Sequence, residues 1–196
     1  KTKCKNFLKL FINYKKYPLV ELKKLIDCEA AKILENSYRA INIAFIDEWT
    51  KYSILTGINL NSMINAIKKR KTHSNIMSPG IGVGGYCLTK DPDFVNHSSK
   101  MFLKNKVKFP IINVANKINR NMPNTSIEFI KSKVKDLNKK KILLLGLSYK
   151  EDVSDIRFSP SLKLIEFFKK NNIKYQVHDP YLSNIKQKKL ISSMPN

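Results

Sequence analysis

At Lys139 the hydrophobic pattern changes period, and that change limits what the chain can fold into. Ahead of it, apolar residues recur mostly at helical spacing. After it comes the unbroken run Ile142-Leu143-Leu144-Leu145-Gly146, which predicts a buried strand of the parallel-sheet kind. Ser159-Pro160 then opens a helix to about Lys170, and Ile173 to His178 gives a second strand that stops at Asp179-Pro180. Strand, loop, helix, strand is one βαβ unit. A single unit has too little sheet to close a core, so the expected fold is a multidomain α/β fragment: an all-α part followed by a truncated α/β part.

The all-α part begins with a short amphipathic helix over residues 2–14 and a segment from Leu19 to Leu25 that reads as extended. A long helix runs from about Asp27, a candidate N-cap, to Leu55, with Gly57 as its stop. Its apolar stripe (Ile33, Leu34, Ala40, Ile41, Ala44, Phe45, Trp49) is broad enough to suggest burial on more than one side, as in a subunit interface. A further helix spans Asn61 to Lys69, capped at Asn61 or nearby. Lys71 to Thr89 reads as loop, and Asp91 as the cap of a short helix through Met101. Pro110 opens a helix to about Asn121. Pro123 marks a break before a last helix, Ser126 to Leu137.

A net charge of +22 invites a nucleic-acid reading. Only four of the 37 basic residues are Arg, however (Arg39, Arg70, Arg120 and Arg157). Nucleic-acid surfaces favour Arg for its bidentate fork, so the Lys excess with abundant Asn and Ile points to codon bias instead. A basic nucleic-acid binder therefore stays only as an alternative. The three cysteines, Cys4, Cys28 and Cys87, are odd in number and lack CxxC spacing, which argues against disulfides and against a zinc site. No apolar run approaches the ~20 residues a bilayer needs, and no signal peptide is legible. The expected location is cytoplasmic, with no membrane partner. The first residue is not Met, so the chain is read as a piece of a longer protein.

The stretch Ser78-Pro79-Gly80-Ile81-Gly82-Val83-Gly84-Gly85-Tyr86-Cys87-Leu88-Thr89-Lys90-Asp91-Pro92 carries the most chemistry. Gly80, Gly82 and Gly85 satisfy a bare GxGxxG. A dinucleotide fingerprint must follow a strand and open a helix, and this one follows a helix and Pro79, so it is rejected as such. The glycines instead let backbone approach a ligand and bring Cys87 to a cleft. Lys90 is placed to favour a thiolate there, and Asp91 to act as base or orient water. Local spacing leaves this reading level with that of a small buried thiol in a structural turn. Lys32 and Asn36, four apart on one helical face, can together hold an oxyanion, although a solvated lysine is the commoner outcome of such spacing.

Three blocks, in order, resemble the UDP-glucose/GDP-mannose dehydrogenase family. Glu29 to Ala40 is similar to A-E-x-x-K-x-x-x-N-x-x-x-A. Pro79 to Pro92 is similar to P-G-x-G-x-G-G-x-C-x-x-x-D. Gly146-Leu147-Ser148-Tyr149-Lys150 through Asp155-Ile156-Arg157-Phe158-Ser159-Pro160 is similar to G-x-x-[YF]-K-x-x-x-x-D-x-R-x-S-P. The resemblance implies a tail of an N-terminal NAD-binding domain at 1–25, a helical central dimerisation domain at 26–137, and a partial Rossmann-like UDP-sugar-binding domain at 138–196. It implies NAD as cofactor, a nucleotide-sugar substrate, most readily a UDP-sugar, and a homodimer through the central helices.

By the same resemblance Cys87 is the nucleophile of a four-electron oxidation at the sugar C6. Lys32 and Asn36 stabilise the oxyanion and position water, and Asp91 assists proton transfer. Ile76, Met77, Ser78, Pro79, Gly80 and Gly84, with Lys32, Tyr149 and Lys150, meet the substrate. Lys90 and Arg157 contact NAD. His73 stands before the loop, either near substrate or as a plain surface residue. The family's glycine fingerprint and its N-terminal acid for thioester hydrolysis have no counterpart in these residues. The piece expressed alone is expected to be inactive, and a helical dimerisation module without chemistry is the other alternative.

Overall fold

The computed structural model describes residues 2–13 and 16–183. Its elements, in order, are α1 (Thr2–Lys9), α2 (Leu25–Thr56), α3 (Leu60–Ile67), α4 (Phe94–Leu103), α5 (Pro110–Lys133), β1 (Lys141–Leu145), α6 (Pro160–Lys170) and β2 (Lys174–His178), with short 3-10 turns at Lys71–His73, Asp91–Asp93 and Leu137–Lys139. The chain divides into two compact units, residues 1–32 and 33–196, and the division falls inside α2.

In the first unit α1 ends at Lys9, short of the expected span, and Leu10 to Ile12 wind out of it in turn-type bonds. The position that would have closed the expected helix, Tyr14, lies outside the described residues. Phe7, Leu10 and Phe11 stay exposed, so no packing supports further turns of so short a helix. A Lys5–Glu21 ion pair at 3.0 Å spans this unit. Residues 19–22 are irregular, and α2 begins two residues before Asp27. Asp27 is therefore not the cap residue. Its carboxylate reaches back from the first turn to the backbone N–H of Lys24 at 3.3 Å, which is half of a capping box.

In the second unit α2 stops at Gly57, whose φ of +75° and bond to the Ser53 carbonyl make it a left-handed C-terminal stop. The cap of α3 is Asn59, whose side chain accepts from the Ser62 N–H at 3.0 Å. Ile46, Leu60 and Ile64 form a small core under the loop, with Ile76 and Met77 packed against it. A second core joins Ile127 and Leu137 to Leu164, Phe168 and Ile173.

Pro123 breaks nothing: α5 runs through it as one helix. An internal proline costs a helix about 3 kcal/mol. Here Pro123 is buried and its ring lies beside Gly82, so tertiary packing offsets the lost helix bond. β1 and β2 pair in parallel, Lys141 opposite Lys174 through Leu145 opposite His178. β1 is not buried on both faces as its apolar run predicted. Ile142 and Leu144 turn to the core, while Leu143 and Leu145 are 57% and 70% exposed. α6 covers one face only, so the described sheet alternates.

Candidate active site

The glycine loop reaches the α/β part through close backbone contact. The Gly85 N–H donates to the Arg157 carbonyl at 2.8 Å. A Cβ on Gly84 would stand 2.6 Å from the Tyr149 Cβ and 2.8 Å from the Phe158 carbonyl oxygen, and one on Gly85 would strike the Tyr149 ring. Gly85 also holds φ +78°. These positions are glycine because backbone and aromatic ring occupy the space a side chain needs.

From Gly85 the chain turns tightly. Thr89 Oγ1 donates to the Gly85 carbonyl at 2.8 Å, and the N–H groups of Lys90 and Asp91 donate to the Cys87 carbonyl at 3.2 and 2.8 Å. Cys87 rides on this turn, solvent-exposed. It is not the sealed structural thiol that local spacing left open. The turn passes into the 3-10 segment Asp91–Asp93, anchored by the buried Pro92. Asp91 does not cap the helix that follows. Its Oδ2 accepts the side-chain N–H of Asn36 at 2.7 Å, across 55 residues of chain. Asn36 is 2% exposed and Asp91 half-buried.

The cations lie to one side of the turn. Lys90 Nζ sits 4.0 Å from the centre of the Tyr86 ring, and the Arg157 guanidinium approaches the same ring at 6.0 Å. Arg157 is held by Asp155, which accepts from its Nε at 3.0 Å and from one Nη at 2.6 Å. The Asp155 carboxylate beside it raises the Arg157 pKa, and the arginine in turn holds Asp155 below its ordinary value. A cleft of about 540 Å³ opens beside them, bounded among others by Tyr86, Lys90, Arg120, Phe158 and Lys163.

The remaining expected residues are placed as follows. Ile76 and Met77 turn their side chains to the α2–α3 core. Ser78 Oγ accepts from Lys68 Nζ at 3.1 Å, Pro79 is half-buried and Gly80 is exposed. Tyr149 is half-buried on the glycine loop, and Lys150 is exposed. Lys32 is an exposed residue at the end of the first unit. His73 is exposed and its Nδ1 is 2.8 Å from the Thr72 hydroxyl. Among the described residues no three His, Cys, Asp or Glu side chains gather as a metal site would require.

Sequence reasoning missed two carboxylates. Asp93 accepts the Asn116 side-chain N–H at 2.6 Å and pairs with Arg120, both on α5. The four-residue spacing of Asn116 and Arg120 marked a shared face but not its partner. Asp179, 3% exposed, accepts the N–H groups of Leu147 and Ser148 at 2.8 Å each and of Tyr181 at 2.9 Å. Its signal was the Asp-Pro pair at the end of the second strand.

Two family models match the chain. The UDP-glucose/GDP-mannose dehydrogenase family central domain covers residues 27–121, and that family's UDP binding domain covers 143–195. The chain belongs to the UDP-glucose/GDP-mannose dehydrogenase family. Similar relatives include the UDP-N-acetyl-D-mannosamine dehydrogenase of Campylobacter jejuni, 38% identical over 81% of this chain and 37% of the relative. The solved UDP-D-ManNAc dehydrogenase of Pyrococcus horikoshii superposes with a TM-score of 0.63 at 33% identity, over 78% of this chain and 36% of that one. The UDP-glucose dehydrogenase of Pyrobaculum islandicum shares the fold, with a TM-score of 0.72 at 20% identity, over 98% of this chain and 43% of that one. The chain thus spans little more than a third of the length of the curated relatives it matches. No described helix of this family member is long and apolar enough to cross a membrane.

Proposed function

We propose that the protein carrying this chain oxidises the C6 alcohol of a nucleotide sugar to the carboxylate, with Cys87 as covalent nucleophile. The observation that carries this reading is the Asn36–Asp91 hydrogen bond at 2.7 Å, made by the same turn that exposes Cys87. The Asp91 N–H also bonds to the Cys87 carbonyl at 2.8 Å, so one turn carries both the thiol and the carboxylate that holds the Asn36 amide, three groups suited to nucleophilic attack, proton transfer and oxyanion binding. The names of the relatives favour a UDP-linked N-acetyl sugar of the mannosamine type over UDP-glucose.

The oxidising equivalents would come from NAD, one hydride going to each of two molecules bound in succession. Lys90 and Arg157 fit a diphosphate, being two cations against one aromatic ring, with Arg157 Nη1 left over by its pairing to Asp155. The C6 alcohol first gives up a hydride and a proton to become an aldehyde. The Cys87 thiolate adds to that carbonyl and the oxygen takes up a proton, forming a thiohemiacetal. Loss of the second hydride together with the hydroxyl proton leaves a thioester, and water attacks it to release the acid and the thiol. Asn36 donates to the oxyanion or holds the attacking water, and Asp91 takes protons through its free carboxylate oxygen. The part given to Lys32 rests on the sequence pattern alone. Tyr149 and Lys150, with the backbone of residues 76–80 and Gly84, would border the sugar nucleotide, in a domain read as Rossmann-like from residue 138 on.

In the full-length protein, Cys87→Ser is expected to lower acid formation from UDP-N-acetylmannosamine and NAD by at least about a thousandfold. Product analysis showing wild-type yields of acid would remove the nucleophile. The exposed stripe of α2, where Phe45, Trp49 and Tyr52 meet edge to face in sequence at 6.5 and 5.6 Å, lies beside Ile111 and Val114 of α5 and is read as the contact with a second copy. Trp49→Glu should convert a dimer to a monomer in light scattering. A wild-type protein that is already monomeric ends that reading.

A further inference from the structure

Two residues after Asp91, the Asp93 side chain takes no part in the turn that carries Cys87. Its carboxylate faces α5, where it receives the Asn116 side-chain N–H at 2.6 Å and pairs with the Arg120 guanidinium. Both groups of the pair are well exposed, at 64% for the Arg120 side chain and 44% for that of Asp93. Exposed ion pairs contribute about 0–1 kcal/mol, so stability gives little reason for this one.

Its geometry gives a better one. Asp91 and Asp93 are the two ends of a single 3-10 turn, fixed by the buried Pro92 between them. Inside it the Asp93 N–H bonds to the Lys90 carbonyl and the Phe94 N–H to that of Asp91. Whatever fixes Asp93 therefore fixes the direction in which Asp91 points. α5 also holds the other arm. Asn119, next to Arg120, donates its side-chain N–H to the Ala40 carbonyl at 2.9 Å in a buried bond, one helical turn after Asn36 on α2. One helix thus holds the α2 backbone one turn from Asn36 and the Asp93 carboxylate two residues from Asp91, the two arms whose side chains meet in the Asn36–Asp91 bond.

We propose that Asp93, clamped by Asn116 and Arg120, is a positioning residue that keeps Asp91 on Asn36 and so sets the chemical rate without touching substrate. A misplacement of about 1 Å in such a site can cost ~100-fold in rate. The proposal rests on the catalytic reading of Asn36 and Asp91, and a double-mutant cycle separates the two. Single-turnover rates of NADH formation would be measured on the full-length protein as wild type, Asp93→Asn, Asp91→Asn and both together. Asp93→Asn is expected to lower the rate about tenfold while KM for the nucleotide sugar stays within about twofold. In the Asp91→Asn background the same change should alter the rate by less than about twofold, because nothing remains to be positioned. Arg120→Lys, which keeps the charge but loses the fork, should fall between Asp93→Asn and wild type. A tenfold loss that recurs in the Asp91→Asn background overturns the proposal, as does an Asp93→Asn protein at the wild-type rate. If Asp91→Asn alone leaves the rate intact, the catalytic reading fails and the positioning role falls with it.

Discussion

Around the glycine loop, polar side chains find one another across long stretches of chain. In the βαβ unit a carboxylate finds the backbone instead. Asn36 meets Asp91, and Asn116 and Arg120 meet Asp93, over separations of 55, 23 and 27 residues, with at least one partner of each pair not fully buried. Asp179 is closed in and spends both oxygens on three backbone N–H groups, those of Leu147 and Ser148 just after β1 and that of Tyr181 just after β2. Leu147, held by one of those bonds, is wholly buried against Ile165 and Leu182. A side-chain pair can exchange its partner for a ligand at small cost, whereas a carboxylate locked to amides cannot. The first arrangement suits chemistry and the second suits holding a shape, so equivalent substitutions in the two regions should give opposite balances of activity and stability.

The largest effect is expected where the regions touch. Gly84→Ala places a methyl 2.6 Å from the Tyr149 Cβ and 2.8 Å from the Phe158 carbonyl, neither of them the far end of a flexible side chain. Overpacking of this kind costs about 3 kcal/mol. Denaturant unfolding should show that loss, together with lower activity, since the Cys87 turn moves with the loop. An unchanged midpoint would mean that loop and α/β part do not meet there.

Next comes Asp179→Asn, which keeps the shape and removes the charge. Bonds to a charged acceptor are worth about 1.5–3 kcal/mol each, and an amide keeps one acceptor, so the net loss is put at about 2 kcal/mol. For a chain of this size that is roughly 4–8 °C in Tm. Burial pushes the Asp179 carboxyl up, but the N–H groups of Ser148, Leu147 and Tyr181 outweigh it and leave the pKa below the ordinary value. A carboxyl depressed in the folded state stabilises above its unfolded value, about 3.9, and that contribution fades as pH falls through the folded value. The gap in Tm between wild type and Asp179→Asn should therefore be full near neutrality and narrow below about pH 4. A gap that widens on acidification would contradict the sign.

How much of this was legible in the residues follows the same division. Local signals read true where the chain settles matters with its neighbours: Ser159-Pro160 opens α6 with the Ser159 side chain capping it, and Gly57 ends α2. They misled where distant packing decides. Pro123 looked like a break because its neighbour in the fold, Gly82, lies far off in sequence. The run Ile142–Leu145 looked doubly buried because composition does not say how many layers will cover a sheet. Of the site, Asn36 and Asp91 were each singled out by motif, yet no spacing rule joins residues 55 apart, and their bond is visible only in the fold. Asp93 carries no signal of its own beside Asp91, because its partners Asn116 and Arg120 stand 23 and 27 residues away.

The smallest stability effect makes the sharpest contrast with Asp179. Asp93→Asn is the same substitution in a carboxylate that is partly solvated and whose partners are side chains. Arg120 can turn to water when the charge is gone, and Asn116 can still donate to an amide oxygen, so the loss should stay under about 1 kcal/mol, or a few degrees at most. Both proteins would be melted side by side at neutral pH. If Asp93→Asn costs as much as Asp179→Asn, the Asp93 clamp is structural after all and the two regions are held alike. If its melt is nearly that of wild type, any change in turnover must come from where Asp91 points and not from a loosened fold.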